Sequence, residues 1–129
     1  HLRSPIGLWA GRLVLGSSAI LVNRMHYLDI GGHSNIFKGH GAEDFELLNR
    51  LSAIYRIGER SDNYPQDCGT LGFESSGFRE YFSRYGRQAA AQNIILIHQW
   101  HPRRKEDKSY VQARRKNFQR LYSVLSKEH

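Results

Sequence analysis

Cysteine, acidic residues and long apolar runs are all scarce in this sequence of 129 residues. Its single cysteine, Cys68, cannot form a disulfide within the chain, which suits a reducing compartment and predicts a cytoplasmic location. No unbroken apolar run approaches the roughly 20 residues that a membrane-spanning helix needs. The 12 acidic residues face 19 lysines and arginines, so the formal net charge is +7 and anionic partners are expected.

Signals for the start of a protein are also missing, since the chain begins at His1 without a leader-like segment. We therefore expect a piece of something longer. A chain of this length can bury one modest core, so residues 1–129 are predicted to form a single domain. The composition, 40% hydrophobic and 24% charged, is typical of globular proteins.

The most informative stretch runs from Phe37 to Leu51. Gly39, His40 and Gly41 precede a helical pattern whose first turn contains Glu43 and Asp44. Free backbone N–H groups and the helix dipole favour negative charge at such a place. The plain interpretation is a charged helix start after a glycine turn. The functional one is a holder for a hydroxyl-bearing substrate, with the glycines allowing close approach and His40 stacking or hydrogen-bonding.

Apolar spacing predicts the neighbouring elements of the chain. Phe45, Leu48, Leu51 and Tyr55 form one stripe of the central helix, and Glu46 and Arg50 are expected to pair on its solvent side. We expect further elements as follows: two short strands within 12–22 that bend at Gly16, Ser17 and Ser18, a short helix over 24–30 stopped by Gly31, an end of the central helix at Gly58, and a loop over 59–70.

The carboxyl-terminal part combines helices with one buried strand. A second amphipathic helix is predicted over 73–92, with core aromatics Phe78, Tyr81, Phe82 and Tyr85. Ile94 to Ile97 has the pattern of a buried strand, and a basic helix over 106–127 is expected to break near Gln112.

A second chemical cluster follows that strand. His98 and His101 are spaced to chelate a divalent ion if the backbone turns between them, although a structural role is the plain alternative. The cations that follow, Arg103, Arg104 and Lys105, suit a phosphate-bearing ligand. One cysteine and no clustered Cys/His set argue against a closed structural zinc site.

Both clusters resemble one enzyme family. Phe37 to Asp44 is similar to the Trp-Gly-Trp-Gly-Gly-Glu-Asp segment of the β-galactosyltransferase and chondroitin-polymerase type of glycosyltransferase, and resembles still more closely bacterial glycosyltransferases predicted to act in capsule biosynthesis. His98 to Arg103 resembles the His-x-Trp-His-Pro-Arg pattern of that bacterial group. This chain departs from the pattern at His40, where Trp is common, and at Phe45, where an acid is often found.

The resemblance implies roles for these residues. Asp44 would be the catalytic base and Glu43 an acceptor ligand, beside the acceptor-binding Gly39, His40 and Gly41. The remaining implied roles are a manganese or magnesium ligand (His98, with His101 as a second candidate), proximity to the donor sugar (Gly16, Ser17) and contact with its phosphates (Arg103, Arg104).

The resemblance also implies a fold and a partner. We expect an α/β structure, a partial GT-A-like fold with a short central sheet flanked by three to four helices. Residues 1–105 would form the core and 106–129 a basic helical tail. No Asp-x-Asp motif occurs in the sequence, so the amino-terminal, nucleotide-binding half of the same enzyme is an expected partner, and the chain alone is expected to be inactive.

The implied function is inverting, metal-dependent transfer of a sugar from a nucleotide-sugar to a saccharide acceptor, in capsular or surface polysaccharide biosynthesis. Peripheral association with the inner face of the membrane is a further expectation. The competing hypotheses are a basic module that binds acidic polysaccharide or nucleic acid, and a structural subunit with vestigial site residues. Recognised nucleic-acid-binding signatures are absent from the sequence, so no nucleic-acid partner is expected.

Overall fold

A computed structural model describes residues 19–68, 76–94 and 107–128. Within these ranges the chain forms four helices and two short strands. In chain order they are α1 (Arg24–Asp29), α2 (Glu43–Ile54), β1 (Asp67–Cys68), β2 (Ser76–Gly77), α3 (Phe78–Ala91) and α4 (Lys108–Glu128). No helix among the described residues is long and apolar enough to cross a membrane.

The described strands form one antiparallel pair, in which Asp67 lies opposite Gly77 and Cys68 opposite Ser76. Gly77 has a φ of 74°, and a Cβ at this position would overlap the carbonyl oxygen of Gln66, so only glycine fits. Strand β1 follows the loop that contains Tyr64, and β2 leads without a break into α3 at Phe78. This pair is not the central sheet that the sequence predicts, and the described residues form no other sheet.

The strand predicted before α1 is wrong for residues 19–22, which have no regular structure. Leu21 is 98% exposed, and no described strand runs beside this segment to pair with its backbone. Ile94, the first residue of the predicted buried strand, is 58% exposed after a turn at Asn93. Residues 95–97 of that prediction lie outside the described ranges.

Aromatic residues of α3 form the centre of the core. Phe78, Tyr81 and Phe82 are buried, as their helical spacing predicts, and burying one such side chain stabilises the fold by about 1.5–3 kcal/mol. Tyr64, from the loop before β1, packs edge-on against Tyr81 with ring centroids 5.4 Å apart. Phe45 of α2 contacts Phe78 in the same way, at 5.0 Å, so the core joins α2 to α3.

Helix α4 is continuous, and the predicted break near Gln112 is wrong. No glycine or proline interrupts its 21 residues, and the Asp107 carboxylate caps its first turn by accepting a hydrogen bond from the Tyr110 N–H at 2.8 Å. Leu121 and Leu125, one turn apart, are fully buried against the aromatic core. The segment predicted to be a basic tail therefore supplies part of the core.

Helix α2 ends one turn earlier than predicted, at Ile54 instead of near Gly58. The Tyr55 N–H still bonds to the Leu51 carbonyl, but the backbone of Tyr55 leaves the helical region at φ −107° and ψ 62°. Its carbonyl accepts a hydrogen bond from the Tyr85 hydroxyl of α3. The Tyr55 carbonyl thus bonds to a side chain of α3 instead of to a backbone N–H one turn further along α2. Gly58 has its positive φ in the loop that follows and does not end the helix. By contrast, α1 stops as predicted, with Gly31 at a φ of 79°.

A buried amide connects α2 to the end of α4. Asn49 is 1% exposed; its Nδ2 donates to Glu128 Oε2 at 2.6 Å, and its Oδ1 accepts from the Tyr64 hydroxyl at 2.8 Å. Burial raises the pKa of Tyr64 well above its usual value, so the phenol is neutral and acts as a donor. A buried amide with both ends satisfied fixes how the two helices lie against each other.

Glu46 and Arg50 do pair, but the prediction that they face solvent is wrong. Glu46 is 5% exposed, and Arg50 binds its carboxylate through two nitrogens at 2.6 and 2.7 Å. The same guanidinium donates to the carbonyls of Ile30 and Gly32, at 2.6 and 2.7 Å. Arg50 therefore fastens the carboxyl end of α1 and the Gly31–Gly32 turn to the side of α2.

We predict that Arg50→Met lowers the free energy of unfolding by about 3 kcal/mol, because it leaves the Glu46 carboxylate buried without its cation. Chemical denaturation followed by circular dichroism measures the change. Arg56→Met is the matched control, since Arg56 pairs with Glu59 at 3.7 Å and its side chain is 72% exposed; its cost should stay below about 1 kcal/mol. Equal losses in the two variants would contradict the role of Arg50.

Candidate functional site

The loop that leads into α2 has an unusual backbone. Gly39 and Gly41 have φ values of 79° and 97°, and Ala42, the residue before the helix, has a φ of 74°. A left-handed conformation is uncommon for alanine and costs about 1–2 kcal/mol, so surrounding contacts must hold it. Ala42 is buried in the core cluster, which supplies such contacts. The loop thus delivers the first turn of α2 in one defined direction.

The close neighbour that requires glycine in this loop is helix α4. A Cβ on Gly39 would lie 3.0 Å from the Cβ of Ala113, and one on Gly41 would lie 3.0 Å from the Cγ of Arg114. Both positions therefore combine a positive φ with a tight approach to the same helix. The sequence predicts that the backbone of this loop comes close to a bulky group. Part of that group is helix α4 of the protein itself.

Helix α4 also binds the backbone of the loop. The Asn117 side chain, 1% exposed, donates from Nδ2 to the carbonyl oxygens of Lys38 and His40, at 3.0 and 3.3 Å. Arg120, one turn further along α4, donates to Asn117 Oδ1 at 3.1 Å and so orients the amide. One amide thereby binds the loop backbone on both sides of Gly39.

His40 lies between the two glycines and stacks on Tyr110 of α4. The ring centroids are 4.8 Å apart and the planes differ by 25°. The imidazole remains exposed on its other side. A stacked, half-covered aromatic ring at a loop tip is suited to contact a flat ligand, and the acceptor-binding role of His40 stays a prediction.

Asp44 lies in the first turn of α2, and its side chain is 37% exposed. Its Oδ1 lies 3.5 Å from Nε2 of His33, whose Nδ1 is 3.1 Å from the Tyr27 hydroxyl. A carboxylate, an imidazole and a phenol therefore form a row from α2 to α1. Sequence analysis missed His33, because tertiary contacts such as those of Arg50 bring the turn after α1 beside α2, and no local pattern reveals them.

Glu43 differs from its neighbour in environment. Its Oε2 is buried and has no hydrogen-bond partner among the described residues. A buried carboxylate oxygen without a partner costs free energy, so such an atom points to a ligand or to another part of the enzyme. The two adjacent acids thus present one accessible carboxylate and one sheltered carboxylate at the same helix tip.

The other predicted site residues lie outside the described ranges: Gly16, Ser17, His98, His101, Arg103 and Arg104. Within 19–68, 76–94 and 107–128, no group of three histidine, cysteine or acidic residues is arranged to hold a metal ion. The described part of the site therefore consists of the acid pair, the glycine loop with His40, and His33.

Comparison with known proteins gives one match. Residues 6–127 match the sequence model of a family described as "Glycosyltransferase like family 2". No curated protein and no solved structure matches the chain. The match spans nearly the whole sequence and includes both the acid pair and the His98–Arg103 cluster.

We predict that Gly41→Ala destabilises the fold more than Gly31→Ala does. Both glycines have positive φ values, 97° and 79°, so each substitution carries the same kind of backbone strain, about 1 kcal/mol. At Gly31 nothing lies within 4 Å of the added methyl, whereas at Gly41 it must displace Arg114 of α4. Thermal unfolding of the two variants measures the difference. Equal melting temperatures would show that the approach of α4 does not require glycine.

Proposed function

The chain belongs to glycosyltransferase-like family 2, and on that premise we propose that it is the acceptor-side half of an enzyme that transfers a sugar from a nucleotide-sugar to a saccharide. The observation that carries this proposal is the pair of carboxylates at the tip of α2. One of them is accessible and the other is sheltered with an unpartnered oxygen. Such a pair can assign one acid to proton transfer and the other to holding a hydroxyl group.

Asp44 is the general base in this proposal. The acceptor hydroxyl attacks the anomeric carbon of the donor, its proton passes to the Asp44 carboxylate, and the bond from that carbon to the diphosphate oxygen breaks. Attack opposite to the leaving group inverts the configuration. His33, 3.5 Å from Oδ1, restricts how the Asp44 carboxylate can turn and keeps its other oxygen available to the acceptor.

Glu43 and the glycine loop position the acceptor. The buried Oε2 of Glu43 would accept a hydrogen bond from a second acceptor hydroxyl, which would supply the partner that it lacks among the described residues. Gly39 and Gly41 expose loop backbone, and the free face of His40 would cover the sugar ring. Because α4 fixes this loop before substrate arrives, little conformational entropy is lost on binding.

The donor side of the proposal rests on residues outside the described ranges. Gly16 and Ser17 would lie near the donor sugar, and Arg103 and Arg104 near its phosphates. A manganese or magnesium ion bound by His98, with His101 as the second candidate ligand, would act as a Lewis acid on the diphosphate. A role in capsular or surface polysaccharide synthesis at the cytoplasmic face of the membrane completes the proposal.

We predict that Asp44→Asn, made in the full-length enzyme, lowers kcat by about 10²–10⁴-fold, because the amide cannot accept the proton. Release of nucleoside diphosphate in the presence of acceptor measures turnover. Asp62→Asn, at an exposed acid in the loop after α2, is the control and should leave turnover unchanged. Turnover of Asp44→Asn near the wild-type value would reject Asp44 as the base.

A further inference from the structure

A groove with a volume of about 480 Å³ runs along one face of α4. Its size falls in the range of about 300–1,000 Å³ that small-molecule sites occupy. Six of its lining residues recur at helical spacing on α4, and two come from β1 and the start of α3. They are Val111, Arg114, Arg115, Phe118, Gln119, Tyr122, Asp67 and Arg79.

The charges in this groove do not cancel. Arg79 binds the Asp67 carboxylate through two nitrogens, one of them 2.9 Å from Oδ2, so these two charges compensate each other. Arg114 and Arg115 make no ion pair with any acidic residue in the described part of the chain. The groove therefore presents two adjacent uncompensated cations, each of which is exposed.

Aromatic rings lie beside these cations. Phe118 and Tyr122 are in contact, with centroids 6.1 Å apart, and the Arg114 guanidinium lies 5.8 Å from the Phe118 ring centre. Half-exposed Val111 extends the apolar surface along the helix. A compact inorganic ion would use only the guanidinium groups. A ligand with both an apolar face and an acidic group would use the rings as well.

The groove adjoins the segment that carries the acid pair. Arg114 is the residue against which Gly41 packs, and Phe118 contacts Phe45, the residue after Asp44, at 6.2 Å between ring centroids. An extended ligand lying in the groove would thus run toward the tip of α2. This continuity connects the groove to the acceptor, since the acceptor hydroxyl must reach that tip.

We propose that this groove is an acceptor subsite for an acidic saccharide, with a uronate carboxylate on Arg114 and Arg115 and its ring against Phe118. The inference rests on the proposed function and adds the class of acceptor. The guanidinium pair supplies donors for a carboxylate, and the aromatic side chain covers the apolar face of a sugar ring.

Binding, measured without turnover, separates this inference from the transferase proposal. Isothermal titration of the chain with tetragalacturonate, compared with neutral cellotetraose, should show saturable binding of the acidic ligand only. Arg114→Gln and Arg115→Gln should each weaken binding about fivefold, the effect of losing one exposed charge pair. Gln119→Glu, which keeps both arginines but adds an anion to the groove, should weaken it similarly. Lys116→Gln, an exposed neighbour outside the groove, is the control for net charge.

Each outcome decides the inference. Losses in the three groove variants, with Lys116→Gln binding normally, support it even if no turnover is ever found. An equal loss in Lys116→Gln would mean that only the overall charge of α4 matters, and would overturn it. So would absence of binding, which is expected if another part of the enzyme fills the groove. Tighter binding of pyrophosphate or of single-stranded DNA would also overturn it, since the groove would then serve phosphates.

Discussion

The structure depends on one contact above all, the packing of α4 against the glycine loop that precedes α2. Asn117 holds the Lys38 and His40 carbonyls, while Gly39 and Gly41 leave room for the helix backbone to come close. A Cβ on either glycine would lie 3.0 Å from a side-chain atom of α4, so a substitution there would disturb the contact that carries the amide. The position of the acid pair in space follows from this contact.

The amino-terminal end of α2 is also positioned by α1 and the turn that follows it. Arg50 fastens the end of α1 to α2, and this places His33 within 3.5 Å of Asp44. Asn49 fastens the far end of α4 to the middle of α2 through Glu128. The proposed base is thus preorganised by polar contacts from both flanking helices, and the aromatic core lies behind it. Preorganisation of this kind lowers the cost of reaching the reactive geometry.

Local pattern was sufficient to predict that helices lie in the regions of α1 to α4, but not the end of α2, the start of α3 or the continuity of α4. Phe78, Tyr81 and Phe82 are buried because their spacing leaves them on one side of α3, and that spacing is visible in the sequence. The Glu46–Arg50 pair has the spacing of an exposed salt bridge, and nothing local reveals that carbonyls from α1 lie beside it. His33 joins Asp44 through the same tertiary contact. The strand predicted at 19–22 failed because a strand needs a neighbour, which periodicity cannot supply.

Amide hydrogen exchange in an Asn117→Leu variant tests most directly whether α4 holds the loop. The substitution removes the donor to Lys38 and His40 without adding a charge, and losing these bonds should lower the free energy of local opening by about 1–2 kcal/mol. We predict roughly tenfold faster exchange at the amide of Glu46, which donates to the Ala42 carbonyl at the end of the loop at 3.1 Å, with the amides of α3 unchanged as an internal reference. Unaltered exchange at the Glu46 amide in a folded variant would contradict the account, because the acid pair would then be positioned without α4.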